Sequence, residues 1–297
     1  MTSMSRRPRT SSHPRIVVAG ATGRVGAALT TRMAADPVDL VALTRDVRTD
    51  RIPDGVAIAT VDFSDVSSLS SALRGADRLF LAHGTSDRQL ANEIALIDAA
   101  VAAGVSHIVK LSVMGPPTRL HPFDWHMKIE ADLATRDIGY TVLRPSTFVN
   151  ILARAAKAVA EDSWGGAAGD GRVNLIDTRD IAEVARHALL DDRHIESQRA
   201  YHLTGPRAVS MPQIAEQLSR LLGRKVVYQH RTASAHRDVL IASGINELAA
   251  DLLLGLDQLF NQSVLAETTT TVAEVTGREP RSTEDWLGDN IAAFQTS

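Results

Sequence analysis

Apolar residues fall into two rhythms along this chain. Short unbroken runs rich in β-branched residues predict six strands in the first half: RIVVAG (15–20), LVALT (40–44), IATVD (58–62), DRLFLA (77–82), HIVKLS (107–112) and YTVLRP (140–145). Between them the spacing turns helical. TGRVGAALTTRMAA follows the first run directly, and Leu69, Ala72 and Leu73 form a short stripe that stops at Gly75. Leu90, Ile94, Ile97 and Val101 recur at helical intervals, with Gly104 placed as a C-cap, and 123–137 is helical in pattern. Unbroken apolar strands alternating with amphipathic helices imply a parallel sheet covered on both faces. The expected fold is therefore α/β, a Rossmann-type doubly wound parallel sheet, with a flexible polar tail over 1–13 and a dinucleotide-binding domain over 14–150.

The second half is less regular. Gly165, Gly166, Gly169 and Gly171 mark a loop, after which RVNLI and IAEVARHALL read as strand and helix. AYHLTG is a strand candidate before the amphipathic helix Met211–Leu222, and KVVYQH (225–230) is another. From Ala233 onward the pattern is mostly helical, ending in STEDWLGDNIAAF, where Ser282 or Thr283 can cap the last helix. These elements predict a smaller substrate-facing region over 151–297, some of whose elements return to the main sheet.

Composition narrows the function classes. The chain has 297 residues, 44% of them hydrophobic and 23% charged, which suits a folded globular protein rather than a disordered or fibrous one. Thirty-two Lys and Arg stand against 35 Asp and Glu, so no net positive field draws the chain to nucleic acid or to a membrane surface. The absence of cysteine removes disulfides and thiolate chemistry. A polar N-terminus without a signal-peptide core, and no long apolar segment, lead us to expect a cytoplasmic protein.

The sharpest chemical signal is VVAGATGRVG between the first strand and its helix. Gly20 allows a tight turn, Gly23 allows backbone to approach a pyrophosphate, and Gly26 allows the helix to pack on the sheet. The helix start then presents N–H groups and a positive dipole end to phosphate. Gly20, Thr22, Gly23, Arg24, Val25 and Gly26 are the expected binding set. No Lys-Ser or Lys-Thr follows, which argues against a nucleoside-triphosphate loop. Where an NAD site would place a carboxylate after the second strand, this chain has Thr44 and Arg45, so a ribose 2′-phosphate is favoured and NADP(H) is expected over NAD(H). Arg24 could assist. Asp62 and Phe63 could contact adenine, although Asp62 equally suits a turn. Ala82 and His83 end the fourth strand, and Ser112 ends the fifth, where the cofactor crevice of such sheets lies.

GATGRVG, Leu43-Thr44-Arg45, VKLSVMGP, WHMKIEADLATRDIGYTVLRPSTFVN, RVNLIDTRDIAEVA, YHLTGP and TGREPRSTEDW together span nearly the whole chain. In this order they resemble the NmrA-like branch of the atypical short-chain dehydrogenase/reductases. That resemblance implies dinucleotide binding through Gly20, Gly23, Gly26 and Arg45, with Asp62 and Phe63 near adenine. It also implies that Ser112, Val113 and residues Pro145 through Phe148 surround the nicotinamide. The family includes quinone, azo-dye and triphenylmethane-dye reductases, and also redox-sensing regulators.

The chain departs from the wider family in one respect. None of Tyr140, Tyr201 and Tyr228 is followed four residues later by lysine, so the usual Tyr-x-x-x-Lys proton-transfer pair is missing. His126 and Glu130 lie one helical turn apart, where the carboxylate could orient the imidazole, which makes His126 the leading acid candidate. Lys128 is a second catalytic candidate. The dispersed histidines form no metal motif, and no metal is expected. The expected activity is an oxidoreductase: an NADPH-dependent reductase passing hydride to a small aromatic or conjugated substrate such as a quinone or dye. The alternative is an NADP(H)-binding, redox-sensing regulatory protein. The sequence leaves open a homo-oligomer or a regulatory protein partner.

Overall fold

The computed structural model describes residues 13–45, 51–115 and 123–295. The first half alternates as its apolar runs require: β1 (Arg15–Ala19), α1 (Arg24–Met33), β2 (Asp39–Thr44), β3 (Ala57–Thr60), α2 (Val66–Ala72), β4 (Arg78–Leu81), α3 (Gln89–Ala103), β5 (His107–Leu111), α4 (Phe123–Leu133) and β6 (Gly139–Pro145). Then follow β7 (Thr147–Phe148), a 3-10 turn (Val149–Ala155), α5 (Ala156–Ala160), β8 (Gly165–Gly166), β9 (Arg172–Ile176), α6 (Thr178–Leu190), β10 (Gln198–Leu203), β11 (Ala208–Ser210) and α7 (Met211–Leu222). The chain closes with β12 (Gln229–His230), α8 (Ala233–Ala242), α9 (Glu247–Asn261), α10 (Thr271–Thr276), α11 (Thr283–Asp289) and a last 3-10 turn (Ile291–Phe294). The N-terminal tail expected over 1–13 lies, but for His13, outside the described residues.

Seven strands form the main sheet in the order β10-β6-β5-β4-β1-β2-β3. The pairings β3–β2, β2–β1, β1–β4 and β4–β5 are all parallel. The central strands are buried on both faces: Ile16, Val17, Val18, Leu79, Phe80 and Ile108 have no exposed surface. Each such side chain stabilises by about 1.5–3 kcal/mol over its exposed state. β3 is an edge strand with Ile58 43% exposed, and it ends at Thr60, short of Asp62. α3 stops where the sequence places its cap, at Gly104 with φ +77°, a left-handed conformation glycine adopts without a Cβ penalty. α4 ends at Leu133, four residues before the sequence pattern suggested.

The chain divides into two compact units whose segments interleave. One comprises 1–111, 128–142 and 185–199; the other comprises 112–127, 143–184 and 200–297. In the first, Val17, Val41, Leu43, Leu79, Leu81, Leu96, Ile97 and Leu133 belong to one core. In the second, Val149, Leu152, Trp164, Leu175, Ile214, Leu218, Phe260 and Trp286 belong to another. The second unit holds β11 antiparallel to β9, β9 parallel to β7, and β12 parallel to β8. The expected strand KVVYQH shrinks to the two residues of β12: Val226 and Tyr228 are buried while Val227 is half exposed, so the alternation is real but no continuous partner strand accompanies it. The last helix is capped as expected, Ser282 and Asp285 bonding each other's backbone N–H groups in a capping box.

One charge interrupts the apolar logic of the first unit. Lys110 of β5 has no exposed surface, and its Nζ lies 2.8 Å from Oε2 of Glu93 on α3, equally buried. Gln89, one turn earlier, donates from Nε2 to Glu93 Oε1 at 2.9 Å, and Lys110 also donates to the Leu111 carbonyl. A lysine inside a buried strand is tolerable because its charge is matched and hydrogen-bonded at once.

Candidate functional site

In the first unit the glycine turn is built by contact as well as by conformation. Gly20 adopts φ +74°, and a Cβ there would come within 2.6 Å of the Ala82 carbonyl oxygen, so the turn and the end of β4 are pressed together. A Cβ on Gly26 would overlap the Gly20 carbonyl oxygen, and one on Gly23 would lie 3.1 Å from the same atom. Gly23 N–H donates to Gly20 O at 2.9 Å, which closes the turn just before α1 begins. Gly23 is the N-cap of α1, and no side chain caps its first N–H groups. A helix start left uncapped, with glycines keeping side chains out of its approach, fits the pyrophosphate of a dinucleotide. Thr22 is half-buried, Arg24 exposed, and Val25 and Gly26 buried. The buried pair packs α1 on the sheet, while Thr22 to Arg24 form the open side.

Strand register brings further residues to the same end of the sheet. Ala19 pairs with Leu43, so Thr44 and Arg45 emerge beside Gly20. Arg45 is exposed there. Arg51 was not legible in the sequence as a site residue. Its Nη1 donates to the Thr22 carbonyl at 3.1 Å, which places a guanidinium on the glycine turn itself. No local spacing announces this contact, because it joins residues 29 apart across a strand end.

Thr44 pairs with Thr60, and Val61 N–H donates to Thr44 O at 2.9 Å, so Asp62 and Phe63 also reach this end. The Asp62 carboxylate is committed to a turn: Oδ1 accepts from Ser64 N–H at 2.8 Å and from Ser64 Oγ at 2.6 Å. Those bonds hold its carboxyl below the usual range. Phe63 meets the His83 ring edge-on at 5.5 Å between centroids. His83 Nδ1 lies 2.6 Å from the Gly84 carbonyl oxygen, and Asn92 Nδ2 lies 2.9 Å from its Nε2. A neutral imidazole protonated at Nδ1 satisfies both contacts. Asn92, which the sequence did not single out, therefore fixes the ring, and His83 offers a face rather than a proton.

The other expected groups lie on the segments that leave β5 and β6 and on α4. Ser112 N–H donates to Leu143 O at 2.7 Å and Met114 N–H to Pro145 O at 2.8 Å, so the segments leaving β5 and β6 run side by side with Ser112 and Pro145 both buried. Ser146 N–H continues the contact to Leu203 O at 2.8 Å. Buried Asn174 ties these pieces together, accepting from Gly205 N–H at 2.6 Å and donating to Gly205 O and Thr268 Oγ1, with Ser146 Oγ at 3.4 Å. His126 is half-buried on α4 and Glu130 follows one turn later, also half-buried; Lys128 is exposed.

Tyr228 is unsuited to replace the missing tyrosine acid: burial, with Asp257 nearby, raises its hydroxyl above the ordinary phenol range. Asp177 and Asp180, at the start of α6, serve packing. Asp177 binds Arg179, which also reaches Asp289 at 2.8 Å, and Asp180 accepts from Arg281 N–H at 2.8 Å and from its guanidinium. Among the described residues no group of three or more His, Asp or Glu is placed to hold a metal ion. No helix among them is long and apolar enough to cross a membrane.

The chain has relatives among known proteins. The chain is 34% identical over 284 residues to the (4-alkanoyl-5-oxo-2,5-dihydrofuran-3-yl)methyl phosphate reductase of Streptomyces griseus, covering 94% of this chain and 99% of that protein. It is 31% identical, over 94% of this chain and 99% of the relative, to the NAD(P)H azoreductase of Xenophilus azovorans. The crystal structure of the NADPH-dependent quinone oxidoreductase of Escherichia coli complexed with NADPH superposes with a TM-score of 0.84 at 26% identity, covering 93% of this chain and 99% of that one. Residues 12–287 match the NmrA-like family. On its sequence, its sheet order and its glycine turn, the chain belongs to the NmrA-like family.

Proposed function

We propose that this protein is an NADPH-dependent reductase that passes hydride to a small conjugated electrophile such as a quinone or a dye. The observation that carries the reading is the cradle of Gly20, Gly23 and Gly26, where a side chain at Gly20 or Gly26 would collide with neighbouring backbone. Its relatives support the reaction class, since the names of the aligned proteins describe reduction of an oxo-dihydrofuran, an azo compound and a quinone. All three substrate types carry conjugated systems able to spread added electron density.

When bound, the reduced nicotinamide supplies the hydride. The chain's own groups bind and orient. The α1 N-terminus receives the pyrophosphate, Arg45 with Arg24 takes the 2′-phosphate, and Arg51 braces the turn through Thr22. Phe63 and the fixed His83 ring wall the adenine side. Residues 151–297 supply most of the acceptor surface, and Ser112 and Pro145 border it. His126 gives a proton or hydrogen bond to the reduced acceptor, with Lys128 as a further candidate on the same helix. A conjugated acceptor needs less proton assistance than a ketone, which is compatible with the missing Tyr-x-x-x-Lys pair. We place the activity in the cytoplasm.

The test is isotopic. NADPH deuterated at the transferring position should deliver deuteride to the electrophilic central carbon of a triphenylmethane dye, and mass spectrometry of the product reads the retained C–D bond directly. Tight NADPH binding with no deuterium in any reduced triphenylmethane dye and no NADPH oxidation with any quinone would overturn the reading in favour of a dinucleotide-sensing regulator.

A further inference from the structure

The glycine-rich stretch before β9 is shaped by α9 and by the segment around β12. A Cβ on Gly169 would overlap the Asn261 side chain, one on Gly171 would overlap the Phe260 carbonyl, and one on Gly166 would meet Tyr228 Oη at 2.5 Å and Asp257 Oδ2 at 3.0 Å. Two consecutive main-chain donors in this stretch are then held by side chains from elsewhere: Ala167 N–H donates to Asp257 Oδ2 at 2.8 Å, and Ala168 N–H to Tyr228 Oη at 3.3 Å. His236 of α8 brings its Nε2 to 3.7 Å from the same carboxylate oxygen of Asp257. One carboxylate therefore touches both the glycine-rich segment and α8.

That carboxylate adds a polar contact to the apolar ones that seat the hairpin formed by α8 and α9, where Phe260 is buried in the second core and Leu256 and Leu259 pack against it. α8 has no buried residue, and α9 buries just Ala250 and Phe260. The hairpin instead shows apolar side chains to solvent, with Leu248 73%, Leu252 51% and Val239 45% exposed. An element with so few buried apolar contacts is drawn from the low-stability end of a fold, so a hydrogen bond to a charged group weighs heavily in its position.

We propose that Asp257 is a positioning residue that sets how the α8–α9 hairpin is seated on the Gly165–Gly169 segment, and through that seating the affinity for the electron acceptor. The acceptor part of this claim rests on the reductase reading and on residues 151–297 forming the acceptor surface. Asp257 does not touch the reacting atoms. Its effect belongs in the acceptor KM rather than in kcat, and NADPH affinity, set in the first unit, is unaffected.

The experiment uses the full chain and three variants, D257A, D257N and Y228F. Hydrogen exchange of peptides covering 163–171 and 233–261 is measured together with KM and kcat for one quinone at saturating NADPH. D257A is expected to speed exchange in both peptides and to raise the quinone KM about tenfold, with kcat within about twofold, as loss of one hydrogen bond to a charged group allows. D257N keeps an oxygen for Ala167 N–H and is expected to recover most of both effects. Y228F should loosen the 163–171 peptide alone. Faster exchange in D257A with an unchanged KM, or unchanged exchange, overturns the positioning role; if D257A does not fold, a fourth variant, D257S, whose shorter side chain does not span to Ala167 N–H, decides by the same two readouts. Wild-type protein that turns over no quinone overturns the reductase reading itself and the acceptor claim with it, an outcome distinct from turnover with an unmoved KM.

Discussion

A methyl group at position 26 would occupy the space of the Gly20 carbonyl oxygen, whereas one at position 23 would sit 3.1 Å from it. G26A should therefore cost more than G23A: about 1–3 kcal/mol of stability from the forced backbone shift, together with loss of NADPH binding. Thermal unfolding and equilibrium fluorescence titration check both parts, and equal behaviour of the two variants would contradict the geometry. The arginines divide differently. R45A should lose about 1.5–3 kcal/mol of NADPH affinity while leaving NADH affinity near its original value, as expected for a lost charged contact to the 2′-phosphate. R51A should weaken both cofactors alike, because its contact is to the turn backbone at Thr22. At His126 the expectation is selective. H126A should slow reduction of an acceptor that needs a proton more than that of an easily reduced quinone, with NADPH binding unchanged; equal rates for both acceptors in the variant and the wild type would remove His126 from the chemistry.

At the scale of elements, the main sheet was legible because apolar runs of the first half recur between helical stripes, and the glycines of the first turn sit where strand gives way to helix. Other features were not legible, for physical reasons that differ. Lys110 stands in the run HIVKLS, and nothing local says that its charge is matched by Glu93 on the preceding helix. KVVYQH alternates like a strand but finds a partner only at β8, over two residues. The GGAAGDG stretch reads as a loop, although Gly169 and Gly171 are dictated by α9, some 90 residues later in the chain, and Gly165 and Gly166 by the segment around Tyr228, which sequence spacing cannot reveal. Asn92 and Arg51 escaped for the same reason, each acting on a partner that only the fold brings near. The buried pair offers its own prediction. K110M should destabilise by about 3–5 kcal/mol, because it leaves the Glu93 carboxylate buried without its cation, and adding E93L should restore most of the loss. Denaturant unfolding of the single and double variants measures this, and a single variant no less stable than the double would contradict it.

At the scale of the whole molecule, one buried histidine ties stability to pH. His107 has no exposed surface, its Nε2 lies 3.0 Å from Thr141 Oγ1, and its Nδ1 has no hydrogen-bond partner among the described residues. Burial first, then the neighbouring His194 and Arg78, lowers its pKa from 6.5 to about 4. Because the folded form resists protonation that the unfolded form accepts, the unfolded state binds more protons between these two values. Stability is therefore full above about pH 6.5 and falls toward pH 4, by roughly 3 kcal/mol for this group alone. H107Q should flatten that acid limb in a series of urea unfolding curves, and an unchanged slope would show that other groups govern it. Buried His194, also lowered mainly by burial, adds in the same direction.

If the glycine cradle and the arginines beside it hold NADPH for the reduction of conjugated electrophiles, the cofactor is oxidised when such an acceptor is supplied. The most direct measurement is the steady-state oxidation of NADPH and of NADH by the purified protein with a panel of quinones, azo dyes and triphenylmethane dyes. Turnover is expected with at least one acceptor, with a kcat/KM at least about tenfold higher for NADPH than for NADH, the ratio that one lost charged contact to the 2′-phosphate implies. NADPH that binds but is oxidised by none of the acceptors would contradict it.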